Sequence, residues 1–328
     1  MNTHINLDKI KGTPIFKALS RLSVLLILFI ILAFTTHNFI KASNLSTILL
    51  QVAVYAVIAY GVTFVLIVGA TDLSTGSVVG LAGIVTALLL RDYNVSPIVA
   101  ILAGLATGLL CGFINGICVT YLKIMPFIAT LGTSWIFRGF CQLIGEGQPV
   151  TIRSSTNPEA AEFLKTLGSG RIGGFPIAAI VFLVLAVVLS ILLTKTVLGR
   201  NVFATGSNEE AARLSGINVR RTTICAFMLC DVMAALGGVL ITARLSSGQI
   251  AAGTGYELEG IAAAVIGGVS LMGGEGSIAG ALIGALIMGM LRNGLNLNGI
   301  NSYWQQIVIG TILIFAVAFD LFQRRKNK

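Results

Sequence analysis

Along almost the whole chain, apolar runs alternate with short polar breaks. The first run, residues 22–34, is followed by Thr35-Thr36-His37-Asn38, which offers no small-x-small cleavage site. It is expected to stay as an uncleaved span reaching about residue 40. A second span covers 45–70. The break Thr71-Asp72-Leu73-Ser74-Thr75-Gly76-Ser77 introduces a third, 78–90, which is short against the roughly 20 residues a bilayer needs. The fourth is 98–120. The fifth opens with Pro126 at a helix-start position and runs to about 144. A mixed polar stretch, 145–174, separates it from a sixth span at 175–193. A charged insert and a seventh span, 222–243, follow. The short apolar segment 260–269, introduced by Tyr256-Glu257-Leu258-Glu259, counts as the eighth. A ninth starts at Ser277 and a tenth covers about 303–322. The pattern predicts an all-α polytopic membrane protein of about ten transmembrane helices, a membrane domain over 22–322 between tails 1–21 and 323–328.

Two spans carry glycine ladders. Gly104, Gly108, Gly112 and Gly116 recur every fourth residue along the fourth span, and Gly276, Gly280 and Gly284 along the ninth. Glycines on one helical face let membrane helices approach closely, so these positions are expected to be packing seams. Asn115, beside the last glycine of the first ladder, is a polar group in a span and needs a partner. Arg138, near the far end of the fifth span, is expected to snorkel to the interface.

The insert 199–221 reads as a short capped helix. Ser207 is the expected N-cap with Glu210 three residues on, the capping-box spacing. Glu209 and Glu210 occupy the first turn, where the helix dipole favours carboxylates. Gly216 stands at C′, and Ala211, Leu214 and Ser215 share one face.

Composition bears this out: 55% of the 328 residues are hydrophobic and only 11% charged, and mean hydropathy is +0.92. Soluble domains carry roughly 25% charge. No Gly-x-x-x-x-Gly-Lys-Ser/Thr phosphate loop is present, so the chain is not expected to hydrolyse ATP. No metal site and no catalytic residues are expected, since no His/Cys cluster and no nucleophile–base constellation is visible. The five cysteines read as small apolar residues. With ten spans, fourteen Lys and Arg fall on the side of the two tails, Lys123 and the insert, against seven opposite, with Arg138 left within a span. The positive-inside rule then places both termini and the loop 194–221 in the cytoplasm, and 145–174 outside. It also accounts for most of the +9 net charge without nucleic acid.

Spans one to five and six to ten read as two inverted five-helix halves. Each has a short third span after an acidic-Leu pair, Asp72-Leu73 or Glu257-Leu258, followed by a glycine-ladder span. Inverted repeats with interrupted helices at matching positions point to a transport pathway between them. Asp72, Asp231, Glu257 and Glu259 are functional candidates as acids in or beside spans. Helix capping competes with that role: Thr71 or Asp72 could cap the third span, and Thr254 could form a box with Glu257.

Several stretches taken together carry a family resemblance. They include Asp72-Leu73-Ser74-Thr75-Gly76-Ser77, Pro126-Phe127-Ile128-Ala129-Thr130-Leu131-Gly132-Thr133, and 206–217 around Glu210-Ala211-Ala212 and Gly216. Ala252-Gly253-Thr254-Gly255-Tyr256-Glu257-Leu258, Asn293-Gly294-Leu295-Asn296 and Trp304-Gln305-Gln306 complete them. In this order the chain resembles the inner-membrane permease subunits of bacterial ABC importers for simple sugars, the ribose, galactose and xylose group. The resemblance implies a homodimeric pore and a periplasmic sugar-binding protein. It also implies a separate ATPase subunit that uses ATP and magnesium, with no cofactor on this chain. It makes the insert the coupling helix, with Ser207, Glu209, Glu210, Ala211, Ala212, Arg213, Leu214 and Gly216 facing the ATPase. Fuller coupling loops end in Ile-x-Leu-Pro, whereas Val219-Arg220-Arg221-Thr222 here lacks the proline.

Polarity and position select Asp72, Asn115, Phe127, Thr130, Tyr256 and Glu257 as pathway candidates. A ribose-like pentose is the first substrate expectation, with allose, galactose and xylose beside it. Two other readings stay open on the residues: an ion-coupled transporter using Asp72 and Asp231, and a branched-chain amino acid ABC permease.

Overall fold

The computed structural model describes residues 14–153 and 157–326. Most of the tail 1–21 and the end of the tail 323–328 lie outside the described residues. In chain order the elements are α1 (Pro14–Thr35), α2 (Ala42–Val68), α3 (Thr75–Arg91), α4 (Pro97–Thr120), α5 (Pro126–Ile144), β1 (Val150–Thr151), α6 (Pro158–Ser169), β2 (Arg171–Ile172) and β3 (Phe175–Pro176). Then come α7 (Ile177–Lys195), α8 (Val197–Ser207), α9 (Glu209–Leu214), α10 (Val219–Leu245), β4 (Ser247–Gly248), α11 (Tyr256–Ile266), α12 (Ile278–Leu297) and α13 (Ser302–Lys326). Among the described residues six helices, α2, α4, α5, α7, α10 and α12, are long and apolar enough to cross a membrane. The apolar part of α1, Leu19–Thr35, and α3 are shorter, and α11 has 11 residues. The first apolar run stops at Thr35 rather than 40, because the chain turns through Asn38 at φ 64°.

Local chemistry sets the boundaries. Pro97 and Pro126 open α4 and α5, where a missing N–H costs nothing. α2 closes on Gly69 at φ 90°, whose N–H reaches the Leu66 carbonyl. Ser277 caps α12 by accepting the Gly280 N–H.

α2 is buried around nearly its whole circumference, which its unbroken apolar sequence allows. It lies at the centre with α10, which also packs on α3 and α4. The α4 glycines form the closest part of that packing. A Cβ at Gly108 would run into the Asp231 carbonyl, and one at Gly112 into that of Phe227. One at Gly116 would lie 2.8 Å from Ile224 Cα, and one at Gly104 would strike the Thr86 hydroxyl of α3. Backbone therefore lies on backbone between α4 and α10. On α12, Gly280 and Gly284 abut the Gly267 and Ala263 carbonyls at the end of α11; Gly276 lies before the Ser277 cap, outside the helix, and meets Ile67 of α2.

The stretch 145–174 is more than a loop. It carries α6, capped by Asn157, which accepts the Ala160 N–H at 2.9 Å and donates to the Leu90 carbonyl at 3.0 Å. β1 pairs antiparallel with β4, Val150 opposite Gly248. At this end Arg91 forms an ion pair with Asp92 and holds that exposed carboxyl below its usual range.

Candidate functional site

The polar residues gather into two groups. The first surrounds Asp72, in the loop between α2 and α3. Its carboxyl oxygen Oδ1 accepts the Ser74 N–H at 2.8 Å and the Ser74 hydroxyl at 2.7 Å. Asp72 therefore closes a turn just ahead of α3 and does not cap it: the residue before Thr75 is Ser74, without a side-chain cap bond. Nor does Thr71 cap it. Asn115, on α4, donates to Ser74 Oγ at 2.7 Å and to Asp231 Oδ2 of α10 at 2.9 Å. Its carbonyl accepts from the Thr133 hydroxyl of α5 at 2.6 Å. Thr130, one turn earlier on α5, accepts the Leu73 N–H at 3.1 Å. Asp72, Ser74, Asn115, Thr130, Thr133 and Asp231 are all buried. One network thus joins the 69–74 loop, α4, α5 and α10. A carboxylate oxygen of Asp72, one of Asp231 and the Cys230 sulfur all lie within 4.8 Å of one another.

The second group lies at the start of α11. Tyr256 packs edge-on against Tyr55 of α2 at 5.4 Å between ring centres. The Arg292 guanidinium sits 5.6 Å over the Tyr55 ring and is ion-paired with Glu259. Arg292 belongs to this interior pair rather than to a flanking loop. Glu257 rests against Gly76 of α3, where its carboxylate fills the space a Cβ would need. No capping box forms there. α11 starts at Gly255 with φ 83°, and the Thr254 hydroxyl turns back to the Ala251 carbonyl at 2.9 Å.

Arg138 ties the two groups together instead of snorkelling. It donates to the carbonyls of Ile250 at 2.6 Å, Ala252 at 2.9 Å and Gly76 at 3.0 Å. The sequence signal was present, since a cation inside a span must find acceptors, but its acceptors are backbone atoms that carry no sequence signature. Phe127 stands apart, with its side chain 54% exposed on the outside of the chain.

The insert folds as two helices rather than one. α8 runs through Ser207, whose hydroxyl bonds back to the Phe203 carbonyl at 2.8 Å. The N-cap of α9 is therefore Asn208, in extended conformation, accepting the Ala211 N–H at 2.9 Å. Gly216 follows the helix at φ 83°. Ala212 is buried against the body, while Glu209, Glu210, Ala211 and Arg213 are exposed and Leu214 is 81% exposed. Beneath α9 lies a cavity of about 670 Å³. Glu209, Arg213, Lys123 and Arg220 line it together with Gly69–Ala70 and Pro126. It reaches from the insert to the loop that carries Asp72.

A comparison with known proteins gives this geometry its context. The family described as "Branched-chain amino acid transport system / permease component" matches residues 44–317. The ribose import permease protein RbsC of Bacillus subtilis is 42% identical over 296 residues, 90% of each chain. The RbsC of Escherichia coli K12 is 42% identical over 299 residues, 91% of this chain and 92% of its own. The galactose/methyl galactoside import permease protein MglC of Haemophilus influenzae is 38% identical over 338 residues, 98% of this chain and 99% of its own. No solved structure matches. The glycine-seamed membrane helices, the paired helices α8 and α9 between α7 and α10, and these near full-length matches agree: the chain belongs to the family of transmembrane permease subunits of bacterial ABC importers that includes the ribose and galactose permeases.

Proposed function

We propose that this chain is the translocation subunit for a simple sugar, a ribose-like pentose first, with allose, galactose and xylose as the next candidates. Two copies form the pore in the bacterial inner membrane, a periplasmic binding protein delivers the sugar, and a partner subunit hydrolyses ATP with magnesium. Ten segments cross or enter the bilayer in two inverted halves, with both tails and 194–221 cytoplasmic and 145–174 periplasmic. The pathway runs beside the 69–74 loop, with Asp72, Asn115 and Thr130 at its closed end. Tyr256 and Glu257 flank it, and Phe127 lies on the surface offered to the second copy.

The observation that carries this reading is Leu214. A leucine 81% exposed on a capped helix among charged residues is free to pack into a partner's groove. Exposed Glu209 and Glu210 surround it, and Ala212 fixes the helix to the body. Motion of α9 reaches the pathway across the cavity beneath it, through Gly69–Ala70 and Leu73 to Thr130. The test is sugar uptake and ATPase co-purification with Leu214→Asp and Glu210→Arg. Both variants are expected to insert at normal levels, lose the ATPase on affinity capture, and lower uptake at least tenfold. Normal uptake by the well-expressed double variant would refute the coupling assignment. Competition of labelled ribose uptake by unlabelled galactose, xylose and allose then ranks the substrates.

A further inference from the structure

Two carboxyls that share a fully buried site set a problem of charge. Asp72 and Asp231 both have 0% exposure. Each has one satisfied oxygen: Asp72 Oδ1 is held by Ser74, and Asp231 Oδ2 by Asn115. The other oxygens, Asp72 Oδ2 and Asp231 Oδ1, are buried and have no N–H or side-chain hydroxyl donor. A carboxyl oxygen of Asp72 and one of Asp231 lie within 4.8 Å of each other. Two carboxylates in such a place cannot both stay ionised.

The surroundings supply no countercharge. α2 and α4 contain no Asp, Glu, Lys or Arg. The one charged residue of α3, Arg91, is bonded to Asp92. On α5, Arg138 is engaged by three backbone carbonyls. α10 carries Arg220 and Arg221 at its start and Arg244 at its end, on either side of Asp231 at its middle. Among the described residues no lysine or arginine is ion-paired or hydrogen-bonded to either carboxyl; the Cys230 sulfur is the neighbouring thiol. A metal cation fits poorly. Calcium takes six to eight oxygens, and here Asn115 turns its N–H toward the pair while Thr133 occupies its carbonyl. A zinc site would need the Cys230 thiolate as a third negative group.

We infer that Asp72 and Asp231 form a proton-binding site, a carboxylic acid–carboxylate pair in which one proton bridges Asp72 Oδ2 and Asp231 Oδ1. The proton fastens the 69–74 loop, in the first half of the chain, to α10 in the second. Without it, like charges oppose each other across that joint. The site depends on no particular transported solute.

Infrared spectroscopy of the purified full-length chain in lipid at neutral pH, with carbon-13 in the aspartate carboxyls, tests this. The expected spectrum contains a protonated-carboxyl carbonyl band that moves with the aspartate label. Asp72→Asn and Asp231→Asn, isosteric and able to donate an amide N–H to the remaining carboxylate, each abolish or move it. The inference is overturned if labelled wild-type protein shows no such band. It is equally overturned if the band moves only with labelled glutamate, which would put the proton on Glu257 or Glu259, or if the band is unchanged in either variant. Asp320→Asn removes the one other aspartate within an apolar helix and keeps the test open where a pair variant does not insert: a labelled band that persists in it belongs to the pair, and one that disappears overturns the inference.

Discussion

Asn115 uses both its N–H donors and accepts one bond, and these three bonds link three helices and a loop. Asn115→Ala leaves Asp231 Oδ2 without its donor in a fully buried site and is expected to cost about 2–3 kcal/mol. Thr133→Val removes one neutral bond and is expected to cost about 1 kcal/mol. Thermal unfolding in detergent, followed by fluorescence, should rank the two in that order; equal effects would mean the network is not organised around Asn115. The need was legible in the sequence, since an amide inside a span must be paired. The partner was not, because Asp231 lies 116 residues further on. Ser207 shows a finer limit. Two residues able to cap stand side by side, and the box spacing favours the serine. α8 continues through it, so only Asn208 is left with the extended backbone that a cap requires.

Among the elements, α4 and α10 touch through backbone, and the glycine positions differ sharply in what surrounds them. A side chain at Gly108 must displace the Asp231 carbonyl, so Gly108→Leu is expected to abolish the monodisperse peak in size-exclusion of the solubilised protein. Gly132 and Gly139, on α5, have nothing within 4 Å of an added Cβ. Gly132→Ala is expected to be neutral or to stabilise by up to about 1 kcal/mol, the helix preference for alanine. A loss of yield in Gly132→Ala alone would point to a neighbour on that face, such as a second copy. A glycine every fourth residue announces a seam in any sequence, because only a small residue lets two helices meet. Nothing in the repeat says which helix it meets. The short helices α3 and α11 were likewise foreshadowed by polar residues before each apolar run, whereas the pairing of β1 with β4 rests on backbone atoms and had no signal.

At the scale of the whole molecule, apolar patterning gave the order of the apolar helices, because each must hide its backbone from lipid by itself, but not α6 or the division of the insert into α8 and α9. The two halves of the chain meet through the α4–α10 glycine seam and a few polar contacts, and the partners in both emerge only from the fold. The proposed topology has a direct test. Ser207→Cys and Gln148→Cys place exposed thiols in the insert and in the 145–174 stretch. An impermeant maleimide is expected to label Gln148→Cys in spheroplasts and Ser207→Cys only in inside-out vesicles; labelling of both from one side would overturn the ten-segment arrangement.

The contacts of Arg138 and Asn115 also impose an order in time. Both residues are synthesised in the first half of the chain, and the acceptors that satisfy them, the carbonyls of Ile250 and Ala252 and the carboxyl of Asp231, come more than a hundred residues later. While the ribosome is making α7 to α10, the N-terminal half holds a cation and an amide that have only their first-half partners, Gly76 for Arg138 and Ser74 and Thr133 for Asn115. Assembly of the membrane domain must therefore wait for the second half to arrive, and a chain cut short before residue 252 is left with Arg138 incompletely satisfied.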